Sequence, residues 1–394
     1  MPAKIALGLG DNIDYEIVWD SQVIEGLVAQ YAIQPEELLH PQPIGCERDL
    51  ILSILQFLQS GKGGERFVDS SPLIEQFASR FTNKITLGGT SVRAAIAMHK
   101  LGYTPALHLV TLNDHVRRLI PPQSPYVCSN SQDTAYPHLI VQFDPGTQIQ
   151  ANGFTLRSSR ANRIIYHNDR DNIALALNEE FADLIADAQV LLVSGFNAMQ
   201  SELLLQERLD SLHRILRSLP KTAAVFYEDA AFYNPAFSQR ILAALASQIT
   251  IFSLNEDELQ AHLGRSLDLL DVEQMAQALA DLHRLIPVPT LVVHSMYWAI
   301  AYGHNSPALT AALKGGVTMA TTRFCYGDDF GVEAYRTIEQ RTPLPAGVHF
   351  AEALHRRLGQ QVCCVPVAAV EQTNATTIGL GDAFVGGFLP ALLS

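Results

Sequence analysis

Short runs of Val, Ile and Leu alternate along the chain with longer stretches in which apolar residues recur every three or four positions. Strand-length runs separated by helix-period segments are the signature of an α/β layer fold with a mainly parallel sheet. The pattern predicts core strands at residues 4–9, 106–112, 190–194, 223–227, 249–253, 290–294 and 363–370. Between two of them Leu205, Leu209, Leu212, Leu216 and Leu219 repeat at spacings of four and three, which puts them on one helix face packed against the sheet. A further helix is expected over 48–59.

The alternation breaks between residues 131 and 167, where short extended segments are separated by turn residues at Asp144-Pro145-Gly146 and Asn152-Gly153, the pattern of a β-meander. Gly61-Lys62-Gly63-Gly64-Glu65 lacks the spacing of a phosphate loop and reads as a flexible turn. The expected organisation is a large α/β core of residues 1–11, 72–130 and 169–394, with a smaller β-rich lid of 12–71 and 131–168.

A chain of 394 residues, 48% apolar and 17% charged, is an ordinary globular sequence, long enough for two structural units. Lys and Arg number 27 against 40 Asp and Glu, a net charge of −13 with no basic block. That balance disfavours nucleic acid and anionic membranes as partners and leaves small molecules. A phosphorylated ligand would need local backbone N–H groups, a few arginines or a divalent cation. Cys46, Cys128, Cys325, Cys363 and Cys364 are scattered and odd in number, which suggests reduced thiols rather than a disulfide framework or a zinc site. No basic leader and no long uncharged apolar run is visible, so the expected location is the cytoplasm, with no membrane span.

Several predicted strands end in polar clusters: Ser194-Gly195-Phe196-Asn197, Glu228-Asp229, Asn255-Glu256-Asp257-Glu258 and His294-Ser295. Ligands of open α/β sheets bind outside the carboxyl ends of the strands, where such residues converge; helix caps use the same residue types. In Gly379-Leu380-Gly381-Asp382 a Gly-x-Gly turn opens a small-residue apolar helix, which offers free N–H groups to a phosphate. Asp382 could cap that helix or take a proton from an incoming hydroxyl. Gly8-Leu9-Gly10-Asp11 leads instead into extended chain, where Asn12 and Asp14 suit sugar hydroxyls or are turn residues. Asn255, Glu258 and Glu228 are hard oxygen donors of the kind Mg²⁺ accepts, or residues of a helix start.

Taken in order, these pieces resemble the ADP-dependent glucokinase and phosphofructokinase family of the ribokinase-like superfamily. The resemblance is carried by Asn12-Ile13-Asp14, Gly88-Gly89 before a helix over 90–101, Ala161-Asn162-Arg163, Ser194-Gly195, Asn255-Glu256-Asp257-Glu258, Leu291-Val292-Val293-His294-Ser295 and Gly379-Leu380-Gly381-Asp382. It implies a ribokinase-like three-layer α/β core with a β-rich lid that closes over a sugar. The implied reaction is Mg²⁺-dependent transfer of the β-phosphoryl group of ADP to glucose, fructose 6-phosphate or a similar acceptor, releasing AMP. Asp382 would be the base, and Gly379 and Gly381 would hold the phosphoryl group with Arg163. Asn12, Asp14, Gly88 and Gly89 would contact the sugar, Asn197, His294 and Leu380 the nucleotide, and Glu228, Asn255 and Glu258 the metal. The chain departs from the family in one place: Phe226-Tyr227-Glu228 stands where the family commonly has His-x-Glu. An ATP-using kinase and a catalytically silent binding protein of the same fold are the alternatives; the retained Asp382 argues against silence. Arg93, Lys100, Arg157, Arg160 and Arg170 are the candidate partners for a phosphate on the acceptor.

Overall fold

The structure, a computed structural model, describes residues 4–159, 162–371 and 376–393. Its larger sheet runs in the order Val362–Pro366, Trp298–Gly303, Thr290–His294, Ile251–Asn255, Ala224–Glu228, Val190–Val193, Ile5–Leu7, Ala106–Leu109, Tyr126–Cys128. Trp298–Gly303 is antiparallel to both neighbours, and the remaining pairs are parallel. Successive strand residues face opposite sides, so Leu191, Val193, Val225 and Tyr227 join one buried cluster while Val190, Leu192 and Phe226 join the other. Helices cover both faces, which gives the expected three-layer α/β core. On the first face lies Glu202–Leu216, whose Leu205, Leu209 and Leu212 are fully buried; Leu219 falls beyond the helix end and packs only partly.

The edge strand Tyr126–Cys128 and the antiparallel Trp298–Gly303 were not expected from the sequence, because one is three residues long and the other has no helical segment before it. The last expected strand, 363–370, stops at Pro366.

The smaller sheet has the order Gly64–Phe67, Asn162–His167, His138–Phe143, Asn12–Ile17, Asn83–Gly88, and the hairpin Gln148–Ala151 with Phe154–Arg157 stands beside it. Two expectations are corrected here. Residues 72–88 were placed with the core, yet the helix Ser71–Ala78 and the strand Asn83–Gly88 belong to this smaller unit. Residues 61–65 were read as a turn; Gly61 does end the helix Glu47–Ser60, but Gly64 and Glu65 open a strand parallel to Asn162–His167. One face of the sheet buries Ile17, Leu139, Val141, Phe143, Ile164 and Tyr166 against the helices Ser21–Gln30, Glu47–Ser60 and Ser71–Ala78. The period of two then directs Asn12, Asp14, His138, Arg163 and His167 to the other face, toward the core.

Asp11, at the junction between the units, is completely buried; its Oδ1 accepts the N–H groups of Val110 at 2.8 Å and Thr111 at 3.0 Å. Burial pushes its carboxyl from the ordinary 3.8 up to about 7, against those two hydrogen bonds and with added repulsion from Asp169 and Asp171. The folded protein thus holds this proton more tightly than the unfolded chain. Stability tied to it is intact below about pH 4 and is lost as pH rises through 7. Asp11→Asn removes the charge, so its melting temperature should rise relative to the wild type at about pH 8.5 and show no such gain at about pH 4; a pH-independent difference would contradict this.

Candidate active site

A cavity of about 840 Å³ lies between the carboxyl ends of the core strands and the open face of the smaller sheet. The candidate catalytic, sugar, nucleotide and metal residues line it: Asn12, Asp14, Gly88 and Gly89 on the smaller unit's side, Arg163 above, and Asn197, Glu228, Asn255, Glu258 and His294 at core strand ends. Gly379, Leu380, Gly381 and Asp382 complete the wall. Residues as far apart as 12 and 382 meet here because parallel strands deliver all their carboxyl ends to one edge.

At the centre is the start of the helix Leu380–Phe388. Gly379 is its N-cap at φ 63°, a left-handed conformation that costs glycine nothing, and no side chain caps the free N–H groups. Asp382 sits in the first turn without acting as a cap; its Oδ2 lies 3.8 Å from Nε of Arg93. Two further arginines grip the carbonyls leading into the turn. Arg163 Nη1 donates to Thr377 O at 3.1 Å, and the buried Arg323 Nε donates to Ile378 O at 2.7 Å. The turn therefore points N–H groups into the cavity while arginines neutralise its oxygens behind.

On the smaller unit's side, Asn12 Nδ2 donates to Asp14 Oδ1 at 2.6 Å, and Arg93 Nη2 donates to Asp14 Oδ2 at 2.7 Å. A Cβ on Gly88 would lie 2.3 Å from Asn12 Nδ2 and 2.7 Å from Asp14 Oδ2, so only glycine leaves these two side chains in place. His138 Nε2 lies 3.1 Å from Asp169 Oδ2, and the His138 and His167 rings are 4.8 Å apart. Burial opposes a charge on His138, but Asp169, Asp14 and Glu65 outweigh it and raise its pKa. His167 is pushed down to about 3, first by burial and then by its neighbour His138. Glu65 projects into the same space, and the cleft walls raise its carboxyl above the usual range.

Toward the core, Glu228 and Asp229 are buried at the end of their strand, and one oxygen of each, Oε2 and Oδ1, has no hydrogen-bond partner. Asn255 Oδ1 accepts the N–H groups of Asp257 and Glu258, and Glu258 Oε2 accepts Asn255 N–H, so the Asn-x-x-Glu pair is also a reciprocal helix cap. Burial at the cavity wall, then repulsion from Asp229 and Glu228, pushes the Glu258 carboxyl up to about 8. Buried, unpaired hard oxygens with crowded negative charge fit a hydrated divalent cation, which would satisfy the orphaned atoms and offset the repulsion. Phe226 packs its ring 5.2 Å from Phe388 in the core, and the imidazole beside Glu228 comes from another strand: His294 Nε2 lies 3.0 Å from Glu228 Oε1. That histidine stacks on Phe384 at 4.6 Å, beside Gly381 of the turn.

The far end is apolar, walled by Val317, Ala320, Phe324, Leu344, Val367 and Val370. None was singled out from the sequence, because these residue types are indistinguishable from core until the helices are placed. Glu65, His138 and His167 were missed as well, and Asp229 was named only beside Glu228 in a strand-end cluster. Of the cations considered for an acceptor phosphate, Arg93 lines the cavity. Lys100 instead donates to the carbonyls of Asp328 and Phe330, and Arg157 and Arg170 are exposed elsewhere. Arg160 and Ala161 lie outside the described residues.

A free helix N-terminus, a carboxylate beside it, buried carboxylates at the strand ends and an apolar end thus meet in one cavity under a second sheet. The family model for the ADP-specific phosphofructokinase/glucokinase conserved region matches residues 3–389. The chain belongs to this family of ADP-dependent sugar kinases, whose acceptor is an alcohol group. It is 23% identical over 450 aligned positions to an ADP-dependent glucose/glucosamine kinase of Pyrococcus furiosus, covering 98% of this chain and 94% of that one. In fold it is similar to a phosphofructokinase from Pyrococcus horikoshii solved with AMP, with a TM-score of 0.76 at 17% identity over 100% of this chain and 98% of the other. An ADP-dependent kinase in complex with fructose-6-phosphate and ADPβS gives a TM-score of 0.76 at 13% identity, over 100% of this chain and 94% of that one. Among the described residues no helix is long and apolar enough to cross a membrane.

Proposed function

We propose that this protein transfers the β-phosphoryl group of ADP to a hydroxyl of a neutral hexose-type sugar, with release of AMP. The observation that carries the reading is the uncapped helix start at Gly379 with Asp382 in its first turn, facing the sugar-side pair Asn12 and Asp14 across one cavity. Asp382 takes the proton of the acceptor hydroxyl as its oxygen bonds to the β-phosphorus. The bond between that phosphorus and the oxygen shared with the α-phosphate breaks, and AMP leaves with the electron pair. The N–H groups of the Gly379–Asp382 turn face the charge that spreads over the transferring group, and Arg163 reaches it from above. Asn12 and Asp14 hold the sugar, Gly88 and Gly89 admit it closely, and the apolar end near Phe324 receives the base of the nucleotide. His294 acts at the nucleotide phosphates through Glu228, and Leu380 and Asn197 border the nucleotide. The smaller unit serves as a lid that excludes water, which would otherwise compete as acceptor.

Glu228, Asn255 and Glu258 would hold Mg²⁺, in part through water, and the ion would neutralise nucleotide phosphate charge. The site disfavours a phosphate on the acceptor. Arg93 is already committed to carboxylates, and Glu65 adds negative charge where such a phosphate would need a free cation. A nucleotide donor of this kind fits an enzyme of the cytoplasm. With ADP labelled at the β-phosphorus and Mg²⁺ present, the label should move to the sugar, and EDTA should stop the transfer. Label released only as inorganic phosphate would refute the assignment.

A further inference from the structure

We propose that Arg93 is a positioning residue for the transfer: its buried guanidinium sets a positive charge between Asp382 and the sugar-side Asp14 and keeps the base aimed at the acceptor. The proposal rests on the reading of Asp382 as the base. Arg93 sits in the first turns of the helix Thr90–His99, followed by Ala94, Ala95, Ile96, Ala97 and Met98, and is 7% exposed. A charge there is costly unless paired. Nη2 reaches Asp14 Oδ2 at 2.7 Å and Glu16 Oε1 at 3.4 Å, both on the lid strand Asn12–Ile17; Nε faces Asp382 Oδ2 at 3.8 Å, on the core helix. A structural ion pair needs one carboxylate. This guanidinium serves three, from two units, and its planar fork is what allows that.

The turn and the arginine fit each other. A Cβ on Gly379 would lie 2.9 Å from Arg93 Cδ and 3.1 Å from Nη1, so glycine is required there by the arginine as well as by the backbone. Three carboxylates gathered around one cation repel one another, and the guanidinium offsets that repulsion. The other charged groups around Asp382 do not replace it. Arg163 and Arg323 each donate to a carbonyl, of Thr377 and Ile378, rather than to Asp382. Glu228 and His294 pair with each other beside Gly381, with Glu228 Oε1 4.0 Å and His294 Cε1 3.4 Å from the position of a Cβ there. His138 lies 4.0 Å from Asp14 but is held by Asp169, and Lys84 pairs with Asp328. Because Asp14 contacts the sugar, an acceptor that orders Asp14 also orders Arg93 and through it the base.

The test is the pH dependence of kcat, with KM for the sugar, in Arg93→Met, Glu16→Gln and Asp382→Asn. Arg93→Met should lower kcat roughly 100-fold near neutral pH and move the acidic limb of the profile up by about one unit or more, so that much of the loss returns in alkali. Glu16→Gln, which removes a competing charge from a side chain 20% exposed, should move that limb down by a few tenths of a unit. A fall in kcat with an unmoved acidic limb would make Arg93 merely structural and overturn the proposal. Should Arg93→Met fail to fold by circular dichroism, the sign of the Glu16→Gln shift decides alone, and an unmoved limb overturns it. Wild-type turnover in Asp382→Asn would instead remove the base assignment itself, and so separates that failure from this one.

Discussion

Asp382→Asn should lower kcat by roughly 10²- to 10⁴-fold, the range that a positioned general base supplies, while nucleotide affinity stays within a few-fold of wild type. The asymmetry follows from where the residue sits. Asp382 caps nothing, and its carboxylate meets Arg93 and the cavity rather than the backbone of the phosphate turn. Replacing one oxygen by an amide keeps the volume and leaves the N–H groups at Gly379 as they are, so the anion site persists. What is lost is the acceptor for the hydroxyl proton. Steady-state rates measured with binding by titration calorimetry separate the two effects. Turnover at the wild-type rate would show that the proton leaves by another route.

A neutral hexose should be preferred over fructose 6-phosphate by at least about 100-fold in kcat/KM, since placing like charges against each other costs several kcal/mol. On the sugar side Asp14 and Glu65 line the cavity, and the one fully buried guanidinium there, Arg93, is already shared by Asp14, Glu16 and Asp382. A phosphate dianion there would be repelled by Asp14 and Glu65, whereas hydroxyl groups can donate to the same carboxylates. Glu65→Ala should narrow the preference by improving the phosphorylated acceptor. Initial rates over both acceptors measure it, and a higher kcat/KM for the sugar phosphate would reverse this part of the account.

Much of the site was legible because its signals are local. A Gly-x-Gly-Asp before a small-residue helix and polar residues after strand-length apolar runs need no tertiary information, and Gly379 to Asp382, Glu228, Asn255 and His294, which line one cavity, were named this way. The rest depends on pairing between distant segments. Glu65 follows three glycines within four positions and reads as a turn; it becomes a strand only because Asn162–His167 lies beside it. Likewise Asn83–Gly88 joins the smaller sheet through Asn12–Ile17, which moves 72–88 out of the core. Arg93 could be named as a cation from the sequence, but its three carboxylates come from two other elements, so a phosphate partner and an internal clamp were indistinguishable. Asn255 and Glu258 show a different limit. The cap and the metal reading ask for the same residues at the same spacing, and the structure forms the cap while leaving the charge of Glu258 crowded by Asp229 and Glu228.

The most direct measurement is chromatographic identification of the nucleotide product. Purified protein with Mg²⁺ is given ADP or ATP against a panel of sugars and sugar phosphates, with Asp382→Asn alongside. The account predicts AMP from ADP, only when a hexose acceptor is present and not with the variant. ADP formed from ATP with no AMP from ADP, or no turnover with any acceptor, would contradict it.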